Sequence, residues 1–490
     1  MTRSLWKCLV TRRWGAFCLL CVTQGCSSLH NGQGPSPQAQ EQRPANLCGE
    51  AAASPVTLCA GSAPSTERTG TPPRCTEPVS PVLSLDAAVR WALLNNPELA
   101  AIRQQHGIAA AGVVIARTYP YNPTLESRVQ YADGPAEAGV TNHAPTQHIL
   151  LLPVELRGQG QYRREAAGAA LSRTDWEIAF QETALAVRVM RAFNTSLYRE
   201  EKARLTEETI RLLDQASQQV QKLVEQGRLR GADLILARSE IADVRSQLDL
   251  NRALLETARV ELYRTLGLAE GSPEPQGTLE SQPGQCDAEE LTRAALERRA
   301  DLRARQAAVA EANARVELEA ANRYGNPSVG PAYAFNETRV HFIGPQVSVP
   351  LPLLNTRKGE ILQREAERTR AVLELQQVEV QVRQDVRAAL TRLKGARTRV
   401  DNYRTQILPD LRKSLEGMER LFAQGEPGVD VLRLIDTRRK LLRAREGYLD
   451  ALFEMSQAQA DLASAVGELA LAFGPCPAHL GAPQMAPPQP

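Results

Sequence analysis

The sequence predicts a mainly α-helical fold with a small β part, in which long coiled-coil helical hairpins carry four strands. Two observations predict it. A large unit of sequence occurs twice, and each copy combines a short alternating segment with long stretches nearly free of proline and glycine. The composition agrees, because 23% charged and 43% hydrophobic residues with only 4% aromatic residues suit helices that bury Ala, Leu and Val.

The duplication is visible in matches that follow one another in the same order. Leu99 and Leu302 close similar helical openings 203 positions apart, and the Asn-Pro pairs at 122–123 and 326–327 follow them. Solenoid repeats are only about 20 to 50 residues long, so we expect two large related halves of one body.

The amino terminus has the features of an export signal. Basic residues precede a short apolar run, Ala16 to Val22, which is too short to span a bilayer. The run ends at Gly25-Cys26-Ser27, which is similar to a bacterial lipoprotein processing site with Cys26 as the acylated residue. Ordinary cleavage near Ser28 is the alternative.

The flanking segments have compositions that do not support a core of their own. The predicted organisation is a signal peptide at 1–26, a Pro/Ser-rich arm or linker at 27–82, a first repeat at 83–285, a second repeat at 286–470 and a Pro-rich tail at 471–490. Five cysteines lie outside the signal, and their disulfide pairing stays open: Cys48, Cys59, Cys75, Cys286 and Cys476.

Strands are predicted at equivalent places in both halves, at about 124–152 and 328–350. In the first, Leu125 and Val129 alternate with Glu126 and Arg128, as in a strand with one apolar face. In the second, two Gly-Pro pairs, at 330–331 and 344–345, predict bends or bulges.

Four strands cannot close a membrane barrel, because the smallest bacterial barrels have about eight and an open edge in lipid leaves backbone groups unpaired. No later apolar segment approaches the roughly 20 residues of a membrane-spanning helix. Identical chains must therefore supply the missing strands if these strands lie in lipid, and we expect a homotrimer with a twelve-stranded transmembrane barrel.

The long helices are predicted to form two antiparallel hairpins, at about 158–267 and 357–467. Stretches of this length extend roughly 100 Å at the usual rise of an α-helix. Val386, Leu393, Val400 and Ile407 recur every seven residues, which indicates a coiled-coil seam.

Over residues 83–470 the sequence resembles the TolC-like outer membrane factor family. The resemblance depends on the duplicated opening that ends in Asn96-Pro97-Glu98-Leu99, the two Asn-Pro pairs, Ile407-Leu408-Pro409, and Phe422-Ala423-Gln424-Gly425 with Val429-Asp430-Val431. Members of this family are trimeric exit ducts of bacterial efflux and type I secretion systems.

The resemblance implies that the turns at Gly227 and Gly425 form the periplasmic tip of an α-helical tunnel. There a periplasmic adaptor protein docks and an inner-membrane pump delivers substrate. It also implies an acidic ring at the narrow entrance from Asp430, whereas Arg433 replaces a second acidic residue. For Asp430 and its counterpart Asp233, capping of the following helix is an alternative, compatible role.

Other functional classes find little support. The net charge is +2 at pH 7, from 58 basic and 56 acidic residues, so a nucleic-acid partner is not expected. The six histidines form no HExxH motif, and GxSxG and P-loop motifs are absent from the sequence. We therefore expect no catalytic residue, no metal site and no cofactor.

The predicted function is an outer membrane exit duct that extends into the periplasm and conducts passively. The alternatives are a type I protein secretion duct and a secreted coiled-coil scaffold. The cargo is not readable from the sequence, although the lipoprotein-like start favours efflux of metal ions or drugs over protein secretion.

Overall fold

The computed structural model describes residues 82–135, 137, 139–227, 230–268, 271–280, 287–423 and 431–472. They belong to one unit, which spans Pro72–Pro490. The predicted fold class, mainly α with a small β part, is confirmed.

Both halves repeat one order of elements, in which two helices precede two strands and long helices follow. The first half contains β1 (Val82–Leu83), α1 (Leu85–Asn95), α2 (Pro97–Arg117), β2 (Thr124–Val129), β3 (Thr146–Pro153), α3 (Gln159–Glu225) and α4 (Gly231–Leu266). The second contains β4 (Glu274–Pro275), α5 (Ala288–Arg298), α6 (Ala300–Ala321), β5 (Ser328–Phe335), β6 (His341–Ser348), α7 (Lys358–Asn402), α8 (Leu408–Ala423) and α9 (Val431–Val466).

The four longer strands form one antiparallel sheet in the order β2-β3-β5-β6. Pairing of β3 with β5 joins the two halves, and Pro153, at the end of β3, pairs with Ser328. All four connections to helices leave the sheet at one end, and the two hairpin loops lie at the other. Within the described residues β2 and β6 have no outer partner, so the sheet has two open edges.

The strands β5 and β6 pair in one continuous register, from Ser328 opposite Ser348 to Phe335 opposite His341. The bulges expected from the Gly-Pro pairs are therefore wrong for these two strands. The glycine at 330 has a different cause. A Cβ there would lie 1.7 Å from the carbonyl oxygen of Leu150 on β3, so only glycine allows this approach.

The helices next to the sheet follow the order of the strands. The helix α3 packs between α2 and α6, and α6 packs between α3 and α7. This order follows from connectivity, because α2 leads into β2, α3 leaves β3, α6 leads into β5 and α7 leaves β6. Farther from the sheet α4 takes the place of α2 beside α3, and α9 lies between α3 and α7.

The start of α2 meets the end of α4. The amide of Asn96 donates to the Thr265 carbonyl at 2.8 Å, and its side-chain oxygen accepts from the Leu99 backbone N–H at 3.1 Å. Gly267 ends α4 with φ +74°, and a Cβ there would lie 2.7 Å from Pro97 Cδ. The helices α2 and α4 therefore form one row that is broken at this joint.

The second half repeats this joint with different chemistry. Arg299, which is 203 positions after Asn96, donates to the Ala465 carbonyl at 3.2 Å and pairs with Asp301 and Asp385. Gly467 ends α9 against it with φ +79°. The helices α6 and α9 form the second broken row.

The hydrophobic core lies at the level of these joints, where α1 and α5 cover the long helices. The predicted seam of α7 contributes to it, since Val386, Leu393 and Val400 are 0%, 7% and 6% exposed. The next member of the heptad, Ile407, is 38% exposed. It lies in a π-helical segment, Tyr403–Ile407, that separates α7 from α8.

The π-helical segment precedes Pro409, which lacks a backbone N–H and whose ring would crowd the carbonyl of Thr405 in a regular helix. The wider turns relieve that contact. None of the described helices combines the length and the apolar character that crossing a membrane requires.

Candidate functional site

The first helical hairpin turns at Gly227, as the sequence predicted. Its φ is +70°, and its N–H donates to the Val224 carbonyl at 2.9 Å, which ends α3. A Cβ at this position would meet no atom within 4 Å, so the backbone conformation rather than space requires glycine.

Asp233 caps the returning helix. Its Oδ2 accepts from the backbone N–H of Arg230 at 3.1 Å, which satisfies a donor at the start of α4. Capping, one of the two roles considered for Asp233, is therefore present in the structure. The carboxylate also lines a groove of about 100 Å³ between α3, α4 and α9.

The second predicted tip is described only in part. Asp430, Gly425 and the lipid-attachment candidate Cys26 lie outside the described residues. Arg433 is exposed in the first turn of α9, and its carbonyl accepts from the Thr437 hydroxyl at 2.9 Å. An acidic ring at Asp430 stays a prediction.

An ion pair that sequence analysis did not anticipate crosses the groove near the tip. Arg439 of α9 pairs with Glu240 of α4, and the Glu240 side chain is only 20% exposed. Arg439 Nε is buried with no hydrogen-bond partner among the described residues. The two residues lie 199 positions apart, so no local pattern could reveal the contact.

Further polar contacts join α9 to α3 along their length. From the tip towards the joints they are Arg445 with Glu208 at 3.7 Å, Asp450 with Tyr198 at 2.6 Å and with Lys202 at 3.3 Å, and Arg191 with Asp461. Polar contacts at several levels along their length thus hold α3 of the first hairpin against α9.

Burial perturbs titration within this set of contacts. Burial and the hydrogen bond to Asp450 raise the pKa of Tyr198. Burial also raises the pKa of Glu446; the charge of nearby Lys202 opposes this shift, and the negative charge of Asp450 adds to it. Glu446 is thus held in a site that disfavours its charged form.

The sheet has one apolar face, as the alternation predicted. Residues that pair directly share a face, and register places the following on one side: Leu125, Val129, Leu150, Leu152, Val329, Tyr333, Phe335, Ile343 and Val347. The other face carries mostly polar or small side chains, with Ile149, Leu151 and Phe342 as exceptions. Leu125, Val129 and Ile343 are 66%, 67% and 83% exposed, so the described chain leaves this face uncovered.

Near the hairpin loops, a row of histidine and tyrosine side chains with one serine crosses the apolar face, and neighbouring members contact each other. Ser127 Oγ and His148 Nδ1 are 2.9 Å apart, and His148 stacks on Tyr333 with ring centroids 6.1 Å apart. The Tyr333 hydroxyl and His341 Nδ1 are 3.0 Å apart. Rings with one polar and one apolar end are typical of a boundary between lipid and water.

The described residues contain no group of three or more His, Cys, Asp or Glu side chains that could hold a metal ion.

Solved structures of outer membrane channels share this fold. CusC, described as forming a transmembrane channel, superposes with a TM-score of 0.64 at 18% identity, over 81% of this chain and 99% of its own. VceC of Vibrio cholerae gives 0.63 at 14% identity, over 78% and 96%. The CmeC channel of Campylobacter jejuni gives 0.64 at 13% identity, over 78% and 85%. No curated protein sequence matches the chain significantly.

The sequence itself matches a family of channels rather than enzymes. The model of the family described as outer membrane efflux protein matches residues 88–268 and 291–468, which is most of the chain. The resemblance inferred from the motifs is confirmed. The chain therefore belongs to the outer membrane efflux protein family, and it is a protein of the bacterial outer membrane that extends into the periplasm.

Proposed function

We propose that three copies of this chain form a passive exit duct, which receives substrates from an inner-membrane pump through a periplasmic adaptor protein. No catalytic residue or cofactor is needed, because the pump supplies the energy. The observation that carries the proposal is a sheet with one uncovered apolar face and two open edges, attached to very long helices.

The open edges require partners if the sheet lies in lipid. Unpaired N–H and C=O groups in hydrocarbon cost several kcal/mol each, by order of magnitude. A second copy that places its β2 beside β6 satisfies both edges, and three copies close a ring of twelve strands. The apolar face then contacts lipid and the polar face lines the lumen.

The helices support the same assembly. On α2, Ile108 and Ile115 are 75% and 72% exposed, and on α7, Leu373 and Val380 are 59% and 50% exposed. Both pairs have heptad spacing. Since α2 leads into β2 and α7 leaves β6, pairing the strand edges of two copies brings these two apolar stripes together.

We assign the periplasmic entrance to the turns at Gly227 and Gly425. In this proposal three copies of Asp430 narrow the entrance and attract cations, Arg433 moderates their field, and Asp233 fixes the returning helix. The ion pair of Glu240 with Arg439 holds the first hairpin against α9 in the closed state.

Extraction and reconstitution test the proposal. The full-length protein is expected in the outer membrane fraction, to require detergent and to migrate as a trimer. A secreted scaffold would instead wash off with salt or alkali, and a detergent-free monomer would refute the duct.

The entrance is tested on the reconstituted trimer by single-channel recording. Asp430→Ala is expected to raise the conductance of the closed state and to weaken cation preference. Unchanged conductance and selectivity would reject the assignment to Asp430, while the duct itself would stand.

A further inference from the structure

Each of the four connections between sheet and helices carries an exposed cation without an ion pair to any described residue. They are Arg117 at the end of α2, Arg157 before α3, Arg323 before β5 and Lys358 at the start of α7. Two nearby arginines do form ion pairs, because Arg163 pairs with Glu155 and Arg357 pairs with Glu319. Unpaired cations also occur elsewhere on the long helices, but at the sheet–helix junction each of the four connections carries one.

Hydrogen bonds hold these connections together at one end of the sheet. The Tyr119 hydroxyl donates to the Pro153 carbonyl, and the Asn326 amide donates to the Tyr121 hydroxyl at 3.0 Å. Arg157 donates from one guanidinium nitrogen to the Gly325 carbonyl at 3.1 Å. The connections that carry Arg117, Arg157 and Arg323 therefore lie side by side at one level of the molecule.

Two of the cations flank a single tyrosine. The Arg157 and Arg323 guanidinium carbons lie 4.7 Å and 5.5 Å from the ring centroid of Tyr324, which is 47% exposed. Cation–π contact orients both groups. Most of their N–H donors have no acceptor among the described residues, which leaves them available to an external anion.

Exposed leucines lie beside these cations. Leu351, Leu353 and Leu354 between β6 and α7 are 72%, 83% and 101% exposed, and Leu156, next to Arg157, is 68% exposed. Cations and tyrosine rings beside apolar side chains match the boundary of a bilayer, where phosphates lie above acyl chains.

We propose that this junction binds the phosphate groups of anionic phospholipids in the leaflet nearest the helices, with Arg157 and Arg323 as the main contacts. The proposal rests on the proposed function, which places the sheet in a membrane. The junction thereby fixes how deeply the duct is inserted.

Lipid titration of the detergent-purified full-length protein by native mass spectrometry tests this, with phosphatidylglycerol or phosphatidylcholine as the probe. The double variant R157Q/R323Q is expected to bind phosphatidylglycerol about 25-fold more weakly, at about fivefold for each cation near an anionic surface. Phosphatidylcholine binding is expected to stay within about twofold of wild type.

Two matched variants separate charge from general damage. R157K/R323K keeps both charges and is expected to retain most of the preference. R211Q/K394Q removes two exposed cations, on α3 and α7, that also make no ion pair with a described residue, and it is expected to leave the preference unchanged.

Equal binding of both lipids by the wild-type trimer, or an equal loss in R211Q/K394Q, would overturn the lipid site and leave the duct standing. Loss of the R157Q/R323Q trimer in lipid-free detergent would also overturn it, because a neighbouring chain would then cover the cations. A wild-type protein that needs no detergent would refute the duct and the lipid site together.

Discussion

Replacing Gly330 with alanine tests whether the close approach of β3 and β5 joins the two halves. A Cβ at this position would lie 1.7 Å from the Leu150 carbonyl oxygen, whereas contacts under 3.0 Å essentially never occur. The strands must therefore separate by more than about 1 Å, which disrupts the adjacent ladder. Overpacking costs about 1–3 kcal/mol, and each orphaned backbone group adds about 1–3 kcal/mol. We expect a loss of about 3 kcal/mol or more.

The neighbouring strand provides a matched control. A Cβ at Gly344 in β6 would meet no atom within 4 Å, so Gly344→Ala changes the same residue type in the same sheet without a clash. The assay is the temperature at which the detergent-solubilised trimer dissociates on a semi-native gel, together with its yield in the outer membrane fraction. Gly330→Ala is expected to lower both the dissociation temperature and the yield, and Gly344→Ala is expected to change neither. Equal behaviour of the two variants would refute the reasoning.

Three other substitutions address the helices. Asn96→Ala removes a cap and the bond to the Thr265 carbonyl, so thermal unfolding followed by circular dichroism should show a loss of about 2 kcal/mol; a change no larger than that of Asn95→Ala would contradict the joint. Because burial raises the pKa of Glu446, the protonated side chain stabilises the folded protein. This contribution is fully present below the ordinary pKa of a glutamate and is lost as the pH rises through the folded-state pKa. Glu446→Gln should therefore raise the unfolding midpoint at pH 7.5 and give no advantage below about pH 4, and a constant difference across this range would be inconsistent. Glu240→Gln should change the free energy of unfolding by less than about 1 kcal/mol, since the pair of Glu240 with Arg439 is partly exposed. It should nevertheless raise the closed-state conductance in planar bilayers, and a conductance equal to that of the wild type would exclude a role of this ion pair in keeping the entrance closed.

Local patterns predicted much of the fold, because strand alternation and helix length are encoded by neighbouring residues. The turn at Gly227 was predictable for the same reason, since a left-handed φ selects glycine. The cap at Asp233 follows from its spacing after the turn. Pro409 is visible in the sequence, but the form of the interruption before it is not, because a π-helical segment depends on how the preceding turns pack.

Contacts between the halves could not be predicted in this way. The pairing of Glu240 with Arg439, and the register of β3 against β5, depend on how two distant segments meet. The expectation of a bulge at the Gly-Pro pair 330–331 was wrong for this reason. The sequence shows a glycine at position 330 of a strand, but it does not show the Leu150 carbonyl that approaches this glycine from β3.

The broken rows have a mechanical consequence. No peptide bond crosses the contact between Asn96 and Gly267 or that between Arg299 and Gly467, so only side-chain and van der Waals contacts transmit torque there. The two broken rows, α2 with α4 and α6 with α9, can therefore rotate at these joints without stretching any covalent chain. The helix α3, by contrast, runs past the level of the joints without a break. If the chain forms the proposed duct, we expect the half near the tip to change its diameter on opening and the half that bears the sheet to keep its own.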